Sequence, residues 1–148
     1  MKRILIPVDG SEYAMRAMAK GKELAEAFGS EIVLLHVLNV TYPVVSGESG
    51  IYLDRGMTFL QLHAQLMSNA ANMLAEAKEA FGSIADRVTT VVEEGDPAHV
   101  ITDYVEHNEI DLLVIGSRGM GSALQRIFVG SVANKVIHSV SKPVLVVK

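Results

Sequence analysis

Short apolar runs along this chain alternate with stretches in which apolar residues recur every three or four positions. The first run, Arg3 to Val8 (RILIPV), is long enough for one strand and apolar throughout its centre, as expected of a strand covered on both faces. Asp9-Gly10-Ser11 interrupts it, and Ser11 has the hydroxyl oxygen that a helix N-cap needs. Ala14, Ala17, Met18, Gly21, Ala25 and Phe28 then share a helical face, and Gly29 is a natural stop. Glu31 to Leu38 (EIVLLHVL) is the next strand. Strand, helix and strand make a βαβ unit, whose crossover is expected to be right-handed.

The stretch from Asn39 to Thr58 breaks the pattern, with Pro43, Gly47, Gly50 and Gly56, and is expected to be a long loop, either functional, such as a lid, or mobile. Helical spacing resumes over Phe59 to Phe81, with Leu66, Ala70, Leu74, Ala77 and Phe81 on one face and Gly82 after it. Arg87 to Glu94 (RVTTVVEE) alternates and carries threonines, which suits an edge strand. Asp96 is placed to cap a helix with Pro97 in its first turn and Val100, Ile101, Tyr104 and Val105 facing inward. Leu112 to Ile115 is a fourth strand, Val132, Ala133, Val136, Ile137 and Val140 mark a fourth helix, and Pro143 to Val147 is the last strand. Strict alternation of strands and helices predicts a five-stranded parallel open sheet with helices on both faces. Ligands of such sheets sit beyond the carboxyl ends of the strands, so Asp9, Val37 and Gly116 are expected to share one crevice.

Composition narrows the possibilities. The 148 residues fit one domain with a real core, and 49% hydrophobic against 20% charged residues describes a globular chain. A net charge of −4 opposes a broad basic face for nucleic acid. No apolar run reaches the roughly 18 residues of a membrane span, and Met1-Lys2-Arg3 leads directly into a strand, so neither membrane insertion nor a signal peptide is expected. With no cysteine, disulfides, thiolate metal sites and cysteine nucleophiles are excluded. The expected compartment is the cytoplasm.

Candidate chemistry concentrates in Asp111 to Ser131 (DLLVIGSRGMGSALQRIFVGS), a strand, a glycine- and serine-rich loop and the start of a helix. Glycines admit close approach of an anion or a positive φ, and helix-start N–H groups attract negative charge, so the stretch is expected to bind phosphate. It is not a P-loop, because Ser122 stands where the lysine of G-x4-G-K-[ST] belongs. Nor is it the dinucleotide fingerprint: the order is G-x-x-G-x-G, and it follows the fourth strand rather than the first.

Gly116-Ser117-Arg118-Gly119, then Gly130-Ser131-Val132-Ala133, then Lys142-Pro143-Val144-Leu145-Val146-Val147 resemble the universal stress protein family in its ATP-binding branch. Ile4 to Ser11, Leu34 to Val37 and Gly95-Asp96-Pro97 are similar to that family's first strand and turn, second strand, and turn before the third helix. The family pattern G-x2-G-x9-G-[ST] has nine residues where this chain has ten, 120–129, so an extra residue is expected around Met120-Gly121. The resemblance implies a Rossmann-like, nucleotide-binding α/β hydrolase-type fold and a site for ATP, with Mg²⁺ held through the phosphates. It implies that Asp9 bonds the ribose or adenine, that Val37 offers its backbone to the adenine edge, and that Pro7 and Val8 form a wall. It implies that Gly116, Gly119, Gly130 and Ser131 hold the phosphates, that Ser117 and Val132 add contacts, and that Arg118 reaches a phosphate or lies on the surface. Ile115, at the end of the fourth strand, belongs to the same implied site. Finally, it implies a homodimer paired through the last strand.

The remaining reactive residues point nowhere stronger. His36, His63, His99, His107 and His138 form no i, i+4 ligand pair and no H-E-x-x-H, so each reads as satisfied or solvated. Glu93-Glu94 beside Asp96 reads as solvent-facing, and no Ser/His/Asp triad or G-x-S-x-G elbow occurs. A small ATP-binding regulatory protein, at most a slow ATPase, is therefore the leading expectation. The alternative is an interaction module of the same fold that binds no nucleotide. An adenylating enzyme ranks last, since H-I-G-H, K-M-S-K-S and S-G-G-x-D-S are all missing.

Overall fold

The computed structural model describes residues 1–40, 45–47, 50–52, 58–119 and 129–148. Strands β1 (Arg3–Pro7), β2 (Glu31–Leu38), β5 (Val88–Glu94), β6 (Leu112–Gly116) and β7 (Val144–Val147) form one sheet in the order β5-β2-β1-β6-β7. Every neighbouring pair in it is parallel. Helices α1 (Glu12–Phe28), α2 (Phe59–Glu79), α3 (Pro97–His107) and α4 (Ser131–Ser139) make the connections. The irregular stretch after β2 contains two short antiparallel strands, β3 (Val45–Gly47) and β4 (Gly50–Tyr52); residues 41–44, 48–49 and 53–57 of the expected loop lie outside the described residues.

Because successive side chains of a strand point to opposite faces, continuous apolar runs must be covered twice. Ile4, Ile6, Ile32, Leu34 and Val114 meet Ala17, Met18 and Ala25 of α1 and Leu74 of α2, with Phe81 beyond its end. Leu5, Val33, Leu35, Leu113 and Ile115 meet Ala98, Ile101 and Val105 of α3 and Ala133 and Val136 of α4. Phe28 departs from the expected face: it is 61% exposed at the turn into β2, past the first residues of the strands, and Leu24 packs against the core instead. The anticipated caps form: Ser11 accepts from the Ala14 N–H, Asp96 accepts from the His99 N–H, and Gly29 ends α1 at φ 69°. Helix α2 stops at Glu79, two residues before Phe81, and a short 3-10 turn, Gly82–Arg87, leads into β5.

Strand order places the site. From β1 the chain builds outward through β2 to β5, then returns to the other side of β1 for β6 and β7. The reversal leaves helices on opposite faces diverging between β1 and β6, and a crevice opens beyond their carboxyl ends. Opposite that end, Asp111 ties down the start of the chain, its Oδ2 accepting from the backbone N–H groups of Lys2 (2.6 Å) and Arg3 (3.0 Å).

Candidate functional site

The crevice is a cleft of about 550 Å³. Pro7, Val8 and Asp9 enter it from the end of β1, Val37 from β2, and Ile115, Gly116, Arg118 and Gly119 from β6 and its loop. Gly130, Ser131 and Val132 enter from the start of α4. Of the residues singled out in the sequence, Ser117 alone is not in the lining. It is 6% exposed, its N–H donates to the Val147 carbonyl (2.7 Å), and its carbonyl accepts from the Gly130 N–H (2.6 Å). Met120 and Gly121, where the extra loop residue is expected, lie outside the described residues.

One end of the cleft suits an anion. The first intrahelical bond of α4 runs from the Asn134 N–H to the Gly130 carbonyl, so the N–H groups of Ser131, Val132 and Ala133 have no acceptor within the helix. Among the described residues no side chain caps this end, and all three residues line the cleft. The positive end of the helix dipole adds to the effect. The glycines here serve approach rather than left-handed backbone: Gly130 has φ −62°, and the described positive-φ glycines are Gly10, Gly29, Gly82 and Gly95. A Cβ on Gly130 would sit 3.2 Å from Arg118 Cα, and one on Gly119 would sit 2.7 Å from Asp9 Oδ2. On Gly116 it would meet the Tyr13 backbone at 2.8 Å, so that glycine lets the first turn of α1 press against the end of β6.

The other end is apolar and edged by backbone. Leu35, Val37, Pro97, Ile101 and Ile115 line it. The Val8 N–H donates to the Leu35 carbonyl on one side of β2, and the Gly95 N–H donates to the Leu38 carbonyl on the other (2.8 and 3.0 Å). Since bonding direction alternates along a strand, Val37 turns its N–H and C=O toward β1's side, past the point where β1 has ended. Val37 therefore offers an adjacent donor and acceptor to the cleft. Between the two ends, Asp9 Oδ1 accepts from the Ser11 N–H (2.9 Å), which fixes its carboxylate at the mouth.

Sequence patterns did not single out Ala14, Leu35, His36, Asn39, Pro97, Ile101 or Ala133 as site residues, yet all line the cleft. Most were read as core or caps, which they also are; only the strand order brings α3 beside β2 here. His36 Nδ1 lies 2.7 Å from the Val8 carbonyl, so it carries the proton and donates, tying β2 to the end of β1. Elsewhere His63 Nε2 meets Glu94 (2.6 Å) and His99 meets Asp103 (3.1 Å). Among the described residues no three histidine or acidic side chains cluster as a metal site. No described helix is long and apolar enough to cross a membrane.

Comparison with known proteins gives the family and the fold. The family model of the universal stress proteins matches residues 1–148. The universal stress protein YxiE of Bacillus subtilis is 28% identical over 146 residues, covering 99% of this chain and 98% of that one. The universal stress protein MJ0531 of Methanocaldococcus jannaschii is 31% identical over 147 residues, 99% of this chain and 82% of its own. The solved structure of MJ0577, also of Methanocaldococcus jannaschii, superposes with a TM-score of 0.77 at 29% identity, covering 99% of this chain and 95% of that one. Two more distant structures share the fold: a universal stress protein in complex with cAMP (19% identity, TM-score 0.64, 99% of this chain and 95% of that one) and the Archaeoglobus fulgidus protein in complex with dAMP (21%, 0.60, 100% and 98%). With a match along its whole length and the same parallel sheet, this chain belongs to the universal stress protein family.

Proposed function

We propose that the cleft binds an adenine nucleotide, ATP with Mg²⁺ held through its phosphates, and that the chain is a stress-response regulatory protein of the cytoplasm that works by binding and dimerisation more than by turnover. The observation that carries the proposal is the uncapped start of α4, whose three spare N–H groups open onto a cleft that is apolar at its far end. A nucleotide has this polarity, with a flat base for the apolar slot and phosphates for the helix terminus. The donor and acceptor of Val37 complement the N1 and N6 edge of adenine, and Asp9 is within the cleft for a ribose hydroxyl. Asp9 is the single carboxylate among the described lining residues, which fits Mg²⁺ carried by phosphates rather than by a protein cage. Relatives of the fold bound to cAMP and dAMP support adenine as the base.

Dimerisation rests on the last strand. β7 is an edge of the sheet, and the Pro143 and Val147 carbonyls accept from Leu113 and Ser117 of the β6 side. By alternation Val144 and Val146 turn their N–H and C=O outward, where a second copy in antiparallel register can pair with them. Mass spectrometry of the purified protein, native and then denatured, tests the nucleotide: a co-purifying mass that matches an adenine nucleotide is expected. Protein that carries none and shows no ATP binding by calorimetry would support the reading of an interaction module instead.

A further inference from the structure

Tyr13, in the first turn of α1, does not line the cleft, yet it touches a residue that does. Its ring lies beneath the Arg118 guanidinium, with the carbon 6.0 Å from the ring centroid. Arg16, one turn further along α1, also lies over this ring at 5.4 Å, but it is ion-paired with Glu12. Two contacts place the backbones of Tyr13 and Arg118 relative to the site. Gly116 admits the Tyr13 backbone against the end of β6, where any Cβ would come within 2.8 Å of it. Arg118, two residues further on, has its Cα alongside Gly130 at the start of α4, the end of the cleft that suits an anion.

We propose that Tyr13 is a positioning residue for the phosphate end of the cleft: its ring steadies the side chain of Arg118, a lining residue whose Cα lies beside Gly130, and so favours ligands with more phosphate charge. The inference rests on the nucleotide reading above. A long, mobile arginine loses rotamer freedom when it binds an anion, and a side chain already held on an aromatic face loses less. The geometry also gives the two arginines different tasks. Arg16 is committed to Glu12 on the surface of α1, whereas Arg118 lines the cleft.

Calorimetry with two ligands tests this, using ATP and adenosine against wild type, Tyr13→Leu, Tyr13→Phe, Arg118→Gln and the double variant Tyr13→Leu/Arg118→Gln. Tyr13→Leu is expected to weaken ATP by about two- to fivefold, the scale of one exposed cation–π contact, and to leave adenosine unchanged. Tyr13→Phe keeps the ring face and is expected to bind both ligands as wild type does. In the Arg118→Gln background, Tyr13→Leu should have no further effect on ATP. Equal losses for ATP and adenosine, or a Tyr13→Leu effect that persists without Arg118, would overturn the positioning role while leaving the site itself intact. Wild type that binds neither ligand would overturn the nucleotide reading, and this inference with it.

Discussion

Gly130 is the position at which one added group separates binding from folding. Its φ of −62° and ψ of 162° are open to any residue, so an alanine there meets no backbone strain. Its Cβ would lie 3.2 Å from Arg118 Cα, 3.4 Å from the Ser117 carbonyl oxygen and 3.8 Å from Gly119 N. The first distance is a few tenths of an ångström inside a comfortable carbon contact, and the neighbour is backbone, which costs about 1 kcal/mol. Replacing glycine also lowers the entropy of the unfolded chain, which returns about 0.4–1 kcal/mol. Gly130→Ala should therefore melt within a few degrees of wild type. Valine adds two γ carbons held stiffly at χ1 and should displace the Arg118–Gly119 backbone from the start of α4. If two charge-assisted bonds to phosphate are lost at about 1.5–3 kcal/mol each, ATP weakens by about a hundredfold or more. Adenosine, with no phosphate, should bind Gly130→Val nearly as it binds wild type. Titration calorimetry with both ligands, beside a melting curve, checks each step. Gly130→Val that binds ATP like wild type would refute the placement of the phosphates.

Three further outcomes are expected. Val146→Pro removes an N–H that points away from β6, so sedimentation should show monomer while circular dichroism keeps the wild-type fold; wild type that sediments as a monomer at micromolar concentration would exclude the dimer. Hydrolysis of ATP should stay below about one turnover per second, because Ser122 stands where a P-loop lysine would and, among the described lining residues, Asp9 accepts from the Ser11 N–H and His36 donates to the Val8 carbonyl; a faster rate in protein free of contaminating ATPase would contradict this. The Lys2 and Arg3 N–H groups hold the Asp111 carboxyl below its ordinary pKa, so its contribution to stability is complete above the unfolded value of about 3.9 and is lost as pH falls through the lower folded one. Asp111→Ala should then be less stable than wild type at neutral pH, and denaturant titrations should show that gap closing below about pH 4.

The fold was legible because each layer wrote its own period. Ile4 to Ile6 and Ile32 to Leu35 are apolar at every position, and only a strand sandwiched between helices hides all of them. The threonines and glutamates of β5 mark an edge for the complementary reason: Thr89, Thr90, Glu93 and Glu94 are exposed. What spacing could not reveal was why each glycine is a glycine. Gly29 and Gly130 look alike in the sequence, one after a helix and one before; the first is there for a φ of 69° and the second for room beside Arg118. The same limit hid Tyr13, Pro97 and Ile101, whose relation to the cleft comes from strands and helices far apart in the chain. Gly116 shows the consequence for function. Its motif suggests a phosphate ligand, but the side where its Cβ would lie is filled by the Tyr13 backbone, so replacing it would first push α1 away from β6. Loss of binding on substituting Gly116 would therefore report on packing as much as on phosphate, whereas Gly130, half-buried at an allowed φ and ψ, reports on the approach of the ligand itself.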